Sequence, residues 1–63
     1  MTLREALYEA RLYARVERAE QYVWQLLDGT WSASSFLVTA DQLGRIVNVY
    51  RVDRDGRATY LKG

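Results

Sequence analysis

Residues 26–31 read LLDGTW, and this stretch divides the chain into two parts of different composition. The part before it contains neither Gly nor Pro and is rich in Ala, Leu, Arg and Glu, which favour helices. Gly29 suits the left-handed position just past a helix end, and Thr2 and Glu5 have the spacing of a capping box at the other end. The sequence therefore predicts a single helix over residues 2–27.

Beyond Gly29 the pattern changes to short runs of β-branched and aromatic residues separated by turn residues. The connections Asp41–Gly44 and Asp53–Gly56 are too short for a crossover, so consecutive strands must run antiparallel. We therefore predict an α+β fold of the order αβββ, one domain over residues 1–63, with a three-stranded meander over residues 31–62. The predicted strands are Ser34–Thr39, Arg45–Val52 and Arg57–Leu61.

The geometry of the second turn sets the pairing of the last two strands. We expect a three-residue loop in which Gly56 is the left-handed residue. The predicted pairs are Val52 with Ala58, Tyr50 with Tyr60, and Val49 with Leu61. One face of the sheet then packs on the helix, and its residues are Phe36, Val38, Val47, Val49 and Leu61.

The predicted helix has two apolar stripes, and a single sheet can cover only one of them. The stripe assigned to the sheet follows the spacing of a buried helix face and comprises Tyr8, Leu12, Val16, Ala19, Val23 and Leu26. The second stripe comprises Leu3, Leu7, Ala10 and Ala14. Its small residues would let another backbone approach closely, so we expect an antiparallel pairing with the same stripe of a second copy. The alternative is a short apolar patch whose alanines only favour the helix.

The edge of the predicted sheet indicates self-association as well. The first strand, which includes Phe36 and Leu37, contains none of the Lys, Arg, Pro or Gly residues that discourage pairing between sheet edges. The alternative is that this strand is short, or covered by the segment around Trp31. The oligomer interface predicted from the sequence therefore comprises Leu3, Leu7, Ala10, Ala14, Phe36 and Leu37.

Charged side chains are segregated on the predicted helix, with arginines on one side and glutamates on the other. The arginine side, together with two tyrosines, comprises Arg4, Arg11, Arg15, Arg18, Tyr8 and Tyr22. Such a surface can bind the phosphates of a nucleic acid and stack on its bases. It can equally pair with the glutamate side of a neighbouring helix. We favour the second interpretation because the net charge of the chain is only +1.

Composition excludes most catalytic chemistry. The 63-residue chain has no Cys and no His, which removes disulfides, thiolate nucleophiles and the commonest metal ligand. Because so small a core gives little stability, self-association is expected to supplement it. We predict a cytoplasmic, non-enzymatic interaction module without cofactor or metal. Its expected partner is a second copy, with a larger protein or a nucleic acid as alternatives and no membrane.

Overall fold

The computed structural model describes residues 1–35 and 44–62. In these residues one helix precedes four strands, and the strands form an antiparallel sheet of order β2-β1-β3-β4. The elements are α1 (Leu3–Glu17), β1 (Gln21–Leu26), β2 (Trp31–Ser34), β3 (Ile46–Val52) and β4 (Ala58–Lys62). The predicted α+β class is confirmed, but the sheet has four strands where three were predicted.

The beginning of α1 follows the sequence prediction. The Thr2 amide donates to the Glu5 carboxylate at 2.8 Å, and the Glu5 amide donates to the Thr2 hydroxyl oxygen at 3.2 Å. This reciprocal pair satisfies two amides that have no partner inside the helix. The hydrogen bond from the Thr2 amide is the main cause of a lowered pKa at Glu5, and a hydrogen bond with the Thr2 side chain lowers that pKa further.

The predicted end of the helix is wrong, because α1 stops at Glu17 and residues 21–26 form a strand. Arg18 adopts the left-handed conformation, with φ 54° and ψ 43°, and its amide donates to the Ala14 carbonyl. The strand that follows is hydrogen-bonded on both sides, to β2 and to β3. Strand pairing on two sides therefore outweighs the modest helix propensity of these residues, which is a fraction of a kcal/mol per residue.

Arg18 gives a direct test of this helix end. The Arg18→Gly variant should be more stable by about 1 kcal/mol, because glycine reaches positive φ without the steric cost of a Cβ. In a domain of this size the melting temperature would rise by about 4–8 °C, measured by circular dichroism. Arg18→Ala is the matched control, since it removes the charge but keeps the Cβ. A Gly variant that melts no higher than the Ala variant would contradict this assignment.

The Asp28-Gly29 pair forms a hairpin turn between β1 and β2 and does not end a helix. The Leu26 amide donates to the Thr30 carbonyl at 2.9 Å, and the Gly29 amide donates to the Leu26 carbonyl at 2.9 Å. Gly29 has φ 91°, which a glycine adopts without strain. These bonds define a three-residue loop that closes with a left-handed glycine.

The same turn reinforces itself through a side chain. The Thr30 hydroxyl and the Thr30 amide donate to the Asp28 carboxylate at 2.7 and 2.9 Å, and these bonds lower the pKa of Asp28. A carboxyl group with a lowered pKa in the folded state stabilises the fold above its ordinary pKa. That contribution is lost as the pH falls through the lower, folded-state pKa.

The turn between β3 and β4 has the predicted form. The Asp53 amide donates to the Arg57 carbonyl at 3.0 Å, the Gly56 amide donates to the Asp53 carbonyl at 2.9 Å, and Gly56 has φ 86°. The pairs predicted for this hairpin are correct at Tyr50–Tyr60 and Val52–Ala58. The third pair is wrong, because a register shift between Val49 and Tyr50 places Val49 opposite Lys62.

The core lies between α1 and the sheet, and it uses the helix stripe that the sequence assigned to a second copy. Its buried residues are Ala6, Ala10, Ala14, Val23 and Val52, with Leu3, Leu7, Trp31, Ala33, Tyr50 and Ala58 packed around them. An alanine face lets the helix backbone approach the strands closely. The stripe predicted to cover the sheet is instead exposed at Tyr8, Leu12 and Val16.

The predicted core face of the sheet is also wrong. Tyr50 and Val52 pack toward the helix, so Val49, which is buried as predicted, lies on the opposite face because side chains alternate along a strand. Val47 and Leu61, both predicted to be buried under the helix, are exposed.

Two predicted strands, Arg45–Val52 and Arg57–Leu61, correspond to β3 and β4. Of the predicted first strand, Ser34 is the last residue of β2, and residues 36–39 lie outside the described residues. Most of the predicted turn Asp41–Gly44 also lies outside them. Nothing helical in the described part of the chain has the length and apolar character needed to cross a membrane.

Candidate interaction surface

The residues of the seam predicted from the sequence are covered by the chain's own sheet. Ala10 and Ala14 are fully buried, and Leu3 and Leu7 are partly buried against the same core. These four side chains therefore stabilise the helix on the sheet, and the assignment of this stripe to a second copy is corrected. Phe36 and Leu37, the other predicted interface residues, lie outside the described residues.

The opposite side of α1 carries an exposed apolar ridge, which consists of Tyr8, Leu12 and Val16. Their exposed fractions are 72%, 50% and 71%. The three residues are four positions apart and so lie in one line along the helix. Exposed apolar residues are normal when scattered, but three aligned on the outer face of one short helix form a continuous strip.

A shallow depression of about 660 Å³ lies at the N-terminal half of this ridge. Its walls combine apolar and aromatic side chains with both signs of charge. It is lined by Met1, Arg4, Glu5, Tyr8, Glu9, Leu12 and Tyr13. The ridge is therefore not an isolated strip, because Met1 and Tyr13 extend its apolar surface on the described part of the chain.

The two flanks of the ridge carry opposite charges. With 100° between successive residues, Arg4, Arg11 and Arg15 fall within roughly 40° of arc on one side. Glu9 falls on the other side, just beyond Val16, whereas Glu5 falls between Leu12 and Val16. The outer surface of the helix therefore presents a positive flank, then an apolar ridge with Glu5 in its arc, and then Glu9.

The positive flank is held in place at one residue. The Arg11 Nε donates to the Gly56 carbonyl at 3.0 Å, which ties α1 to the turn between β3 and β4. The ion pair found among the described residues joins Arg51 to Glu20 at 3.7 Å. Within that part of the chain, the positive flank therefore has no carboxylate partner.

The structure separates two of the six residues predicted to form the arginine and tyrosine surface. Arg18 lies at the left-handed end of α1, and Tyr22 belongs to β1. Val23, next to Tyr22, faces the helix, so the Tyr22 side chain points to the other face of the sheet. The residues that stay together are Arg4, Tyr8, Arg11 and Arg15.

An aromatic row and a polar network cross the sheet on its helix side. The Trp31 and Tyr50 rings are 6.0 Å apart, and the Tyr50 and Tyr60 rings are 5.1 Å apart in an edge-to-face arrangement. The Tyr60 hydroxyl donates to Asn48 at 2.6 Å, and Asn48 donates to Gln25 at 2.7 Å. These contacts rigidify the sheet on which α1 rests.

The described residues show no cluster of side chains that could bind a metal ion. In residues 1–35 and 44–62, no three Asp or Glu side chains come close enough to hold a metal ion together. Comparisons of the chain with protein-family models, with curated proteins and with solved structures gave no match. The outer surface of α1 is therefore the feature from which a function can be inferred.

The sequence contains the signal for this surface, although its hydrophobic pattern predicts that these residues are buried. Tyr8, Leu12 and Val16 are more hydrophobic than Ala6, Ala10 and Ala14, so hydrophobicity alone ranks the ridge as the buried stripe. Side-chain size gives the opposite answer. Three alanines at i, i+4 and i+8 leave a flat face that suits close contact with a sheet, whereas Tyr8 and Leu12 project outward.

Proposed function

We propose that this chain is a non-enzymatic protein interaction module that acts as a homo-oligomer through the outer ridge of α1. The observation that carries the proposal is the exposure of Tyr8, Leu12 and Val16 in one line along the helix. Exposure of apolar surface to water is unfavourable by about 25 cal/mol per Å², so a complex in which a partner covers the ridge is stabilised.

The small size of the chain supports a self-associated state rather than a monomer. The buried hydrophobic side chains of the described residues are small, namely three alanines, three valines and Ile46. A 63-residue domain is expected to have about 3–9 kcal/mol of stability. Covering the ridge in an oligomer would add to that total, because association stabilises the folded state by mass action.

The edge of the sheet remains a proposed second contact. Among the described strands β2 lies at an edge of the sheet, and Trp31–Ser34 contains no Lys, Arg, Pro or Gly, although the Trp31 amide already donates to the Met1 carbonyl at 3.2 Å. These are the residues that discourage edge pairing, although a four-residue edge is short. We therefore propose the ridge as the primary contact and the β2 edge as a secondary one.

Sedimentation equilibrium from the micromolar to the submillimolar range tests the proposal. The apparent mass should rise with concentration from that of one chain to that of at least two. A mass of one chain throughout this range, together with cooperative unfolding, would contradict self-association. Binding of a larger protein would then remain as the alternative use of the ridge.

A second candidate function is binding to a nucleic acid through the positive flank. Arg4, Arg11 and Arg15 support it, because they are exposed beside Tyr8 and have no carboxylate partner among the described residues. Phosphate binding would weaken steeply with added salt. Gel mobility shift at low salt with Arg15→Ala as the variant separates this candidate from the first, since self-association does not require a nucleic acid.

A further inference from the structure

A buried side chain at the start of β1 has a donor without a partner. Gln21 is only 3% exposed, and its Nε2 group donates to no acceptor in the described part of the chain. An unpaired buried donor destabilises the fold, so native proteins seldom keep one without a ligand, an ion or a water against it. Gln21 is therefore the starting point for a binding site.

The Gln21 side chain borders a small cavity between α1 and β2. The cavity has a volume of about 170 Å³, which is room for about five water molecules. The other described residues of its walls are Glu9, Tyr13, Glu17, Ala33, Ser34 and Ser35. Val23, two residues further along β1, packs against the helix, so the Gln21 side chain is on the helix side of the sheet as well. The amide of Gln21 therefore faces the cavity.

The helix wall of this cavity is acidic. With 100° between successive residues, Glu17 falls within the arc of the buried alanines and continues their face at the C-terminal end of α1. The helix dipole adds partial negative charge at this end. Glu9 lies two turns earlier on the same wall. The ion pair in the described part of the chain involves neither glutamate, and no described Lys or Arg lines the cavity.

A ligand that suits both walls of the cavity has two parts. The glutamates favour a positively charged group, whereas Gln21 Nε2 is a donor and requires an acceptor. A metal ion or a simple alkylammonium supplies no acceptor, and a carboxylate would face the glutamates. An ammonium group beside a carbonyl oxygen meets both requirements.

We propose that this cavity binds an α-ammonium group together with its adjacent carbonyl, as found in amino-acid amides and at the N-terminus of a peptide. The ammonium donates to the Glu17 carboxylate, and the carbonyl oxygen accepts from Gln21 Nε2. Polar groups placed in this way fix the orientation of a small ligand. The proposal does not depend on self-association, because Tyr8, Leu12 and Val16 do not line the cavity.

Titration with alaninamide, followed in proton–nitrogen correlation spectra of the isotope-labelled chain, tests this site. The side-chain amide signals of Gln21 should shift and saturate. Ethylamine lacks the carbonyl and should bind about tenfold more weakly, and acetamide lacks the charge and should also bind about tenfold more weakly. If alaninamide causes no saturable shift, or binds no better than ethylamine, the proposal is overturned.

The Gln21→Met variant tests the role of the amide. Methionine has a similar length but no N–H group, so alaninamide and ethylamine should bind to this variant equally well. The variant should melt no lower than the wild type, because it loses an unpaired buried donor. An undiminished preference for alaninamide in the folded variant would show that Gln21 does not bind the carbonyl.

The Glu17→Gln variant tests the role of the charge at an exposed position where the fold tolerates the change. It should weaken alaninamide binding about tenfold. Asp55→Asn is the matched control, because it changes the net charge equally but lies in the turn between β3 and β4. Equal affinities of Glu17→Gln, Asp55→Asn and the wild type would contradict the assigned ammonium site.

Two peptides distinguish the sources of the ligand. Binding of trialanine amide, but not of its N-acetylated form, would support the N-terminus of a peptide as the ligand. Binding of alaninamide alone would support a small amino-acid derivative. If the acetylated peptide binds as tightly as the free one, the ammonium group is not recognised and the proposal is overturned.

Discussion

Replacing Ala10 with Glu should unfold the chain. Ala10 is fully buried between α1 and the sheet in a cluster of alanine and valine side chains, and Gln21, the buried polar side chain of the described residues, carries no charge to neutralise a carboxylate. An unpaired buried charge costs about 3–5 kcal/mol, which is comparable to the whole stability of a domain of this length. Circular dichroism should show the loss of a cooperative thermal transition at all temperatures above freezing.

Ala10→Ser provides a milder control for the same position. Serine adds one small polar atom, which can bond to a carbonyl one turn earlier in the helix, so the fold should survive with reduced stability. If Ala10→Glu melts cooperatively near the wild-type temperature, the alanine face does not pack on the sheet. That result would restore the stripe to the surface role predicted from the sequence.

Replacing Leu12 with Glu should abolish self-association and leave the fold intact. Leu12 is two residues from Ala10 but lies on the outer ridge, where half of its surface is exposed. In a two-fold pair the change occurs twice, and a loss of about 1.5 kcal/mol in each copy raises the dissociation constant roughly 100-fold. Sedimentation equilibrium measures the association, and circular dichroism confirms the fold.

Leu27→Glu is the matched control for this variant. Leu27 is also an exposed leucine, but it belongs to the turn between β1 and β2 and not to α1. The Leu27→Glu substitution changes the net charge by the same amount as Leu12→Glu. A general effect of charge would therefore weaken the self-association of both variants equally. Equal association of Leu12→Glu and wild type would exclude the ridge as the contact surface.

Features governed by neighbouring residues were predictable from the sequence. The capping box of Thr2 and Glu5 marks the start of α1, and Gly56 in its turn sets the pairing of Tyr50 with Tyr60. Each depends on hydrogen bonds that span a few residues. Their geometry therefore follows from residue types at fixed spacing, without knowledge of the rest of the fold.

The end of α1 was not predictable in the same way, although a parallel in the sequence pointed to it. Residues 26–30 and residues 53–57 both carry Asp-Gly at their third and fourth positions, and both form the same three-residue hairpin loop. A glycine that can end a helix can also close a hairpin. The choice at Gly29 depends on β1 finding strand partners on both sides, which is a tertiary property.

The exchange of the two helix stripes has a similar origin. Hydrophobicity favours burial of Tyr8 and Leu12, whereas close approach of a helix to a sheet favours Ala10 and its neighbours. The residue pattern along the helix does not show which of these two effects is larger, because which stripe is buried depends on where the sheet lies. As a result, the helix stripe predicted from the sequence to bind a second copy is buried against the sheet, and the surface that we propose lies on the opposite side of the same helix.

The most direct test of the outer ridge is an isotope-filtered NOE measurement on a mixture of labelled and unlabelled chains. At concentrations where the protein associates, cross-peaks between copies should join the Tyr8 ring to the Leu12 methyl groups of the other chain. Intermolecular cross-peaks confined to sheet residues, with none from Tyr8 or Leu12, would contradict the proposal that the outer ridge of α1 is the interaction surface.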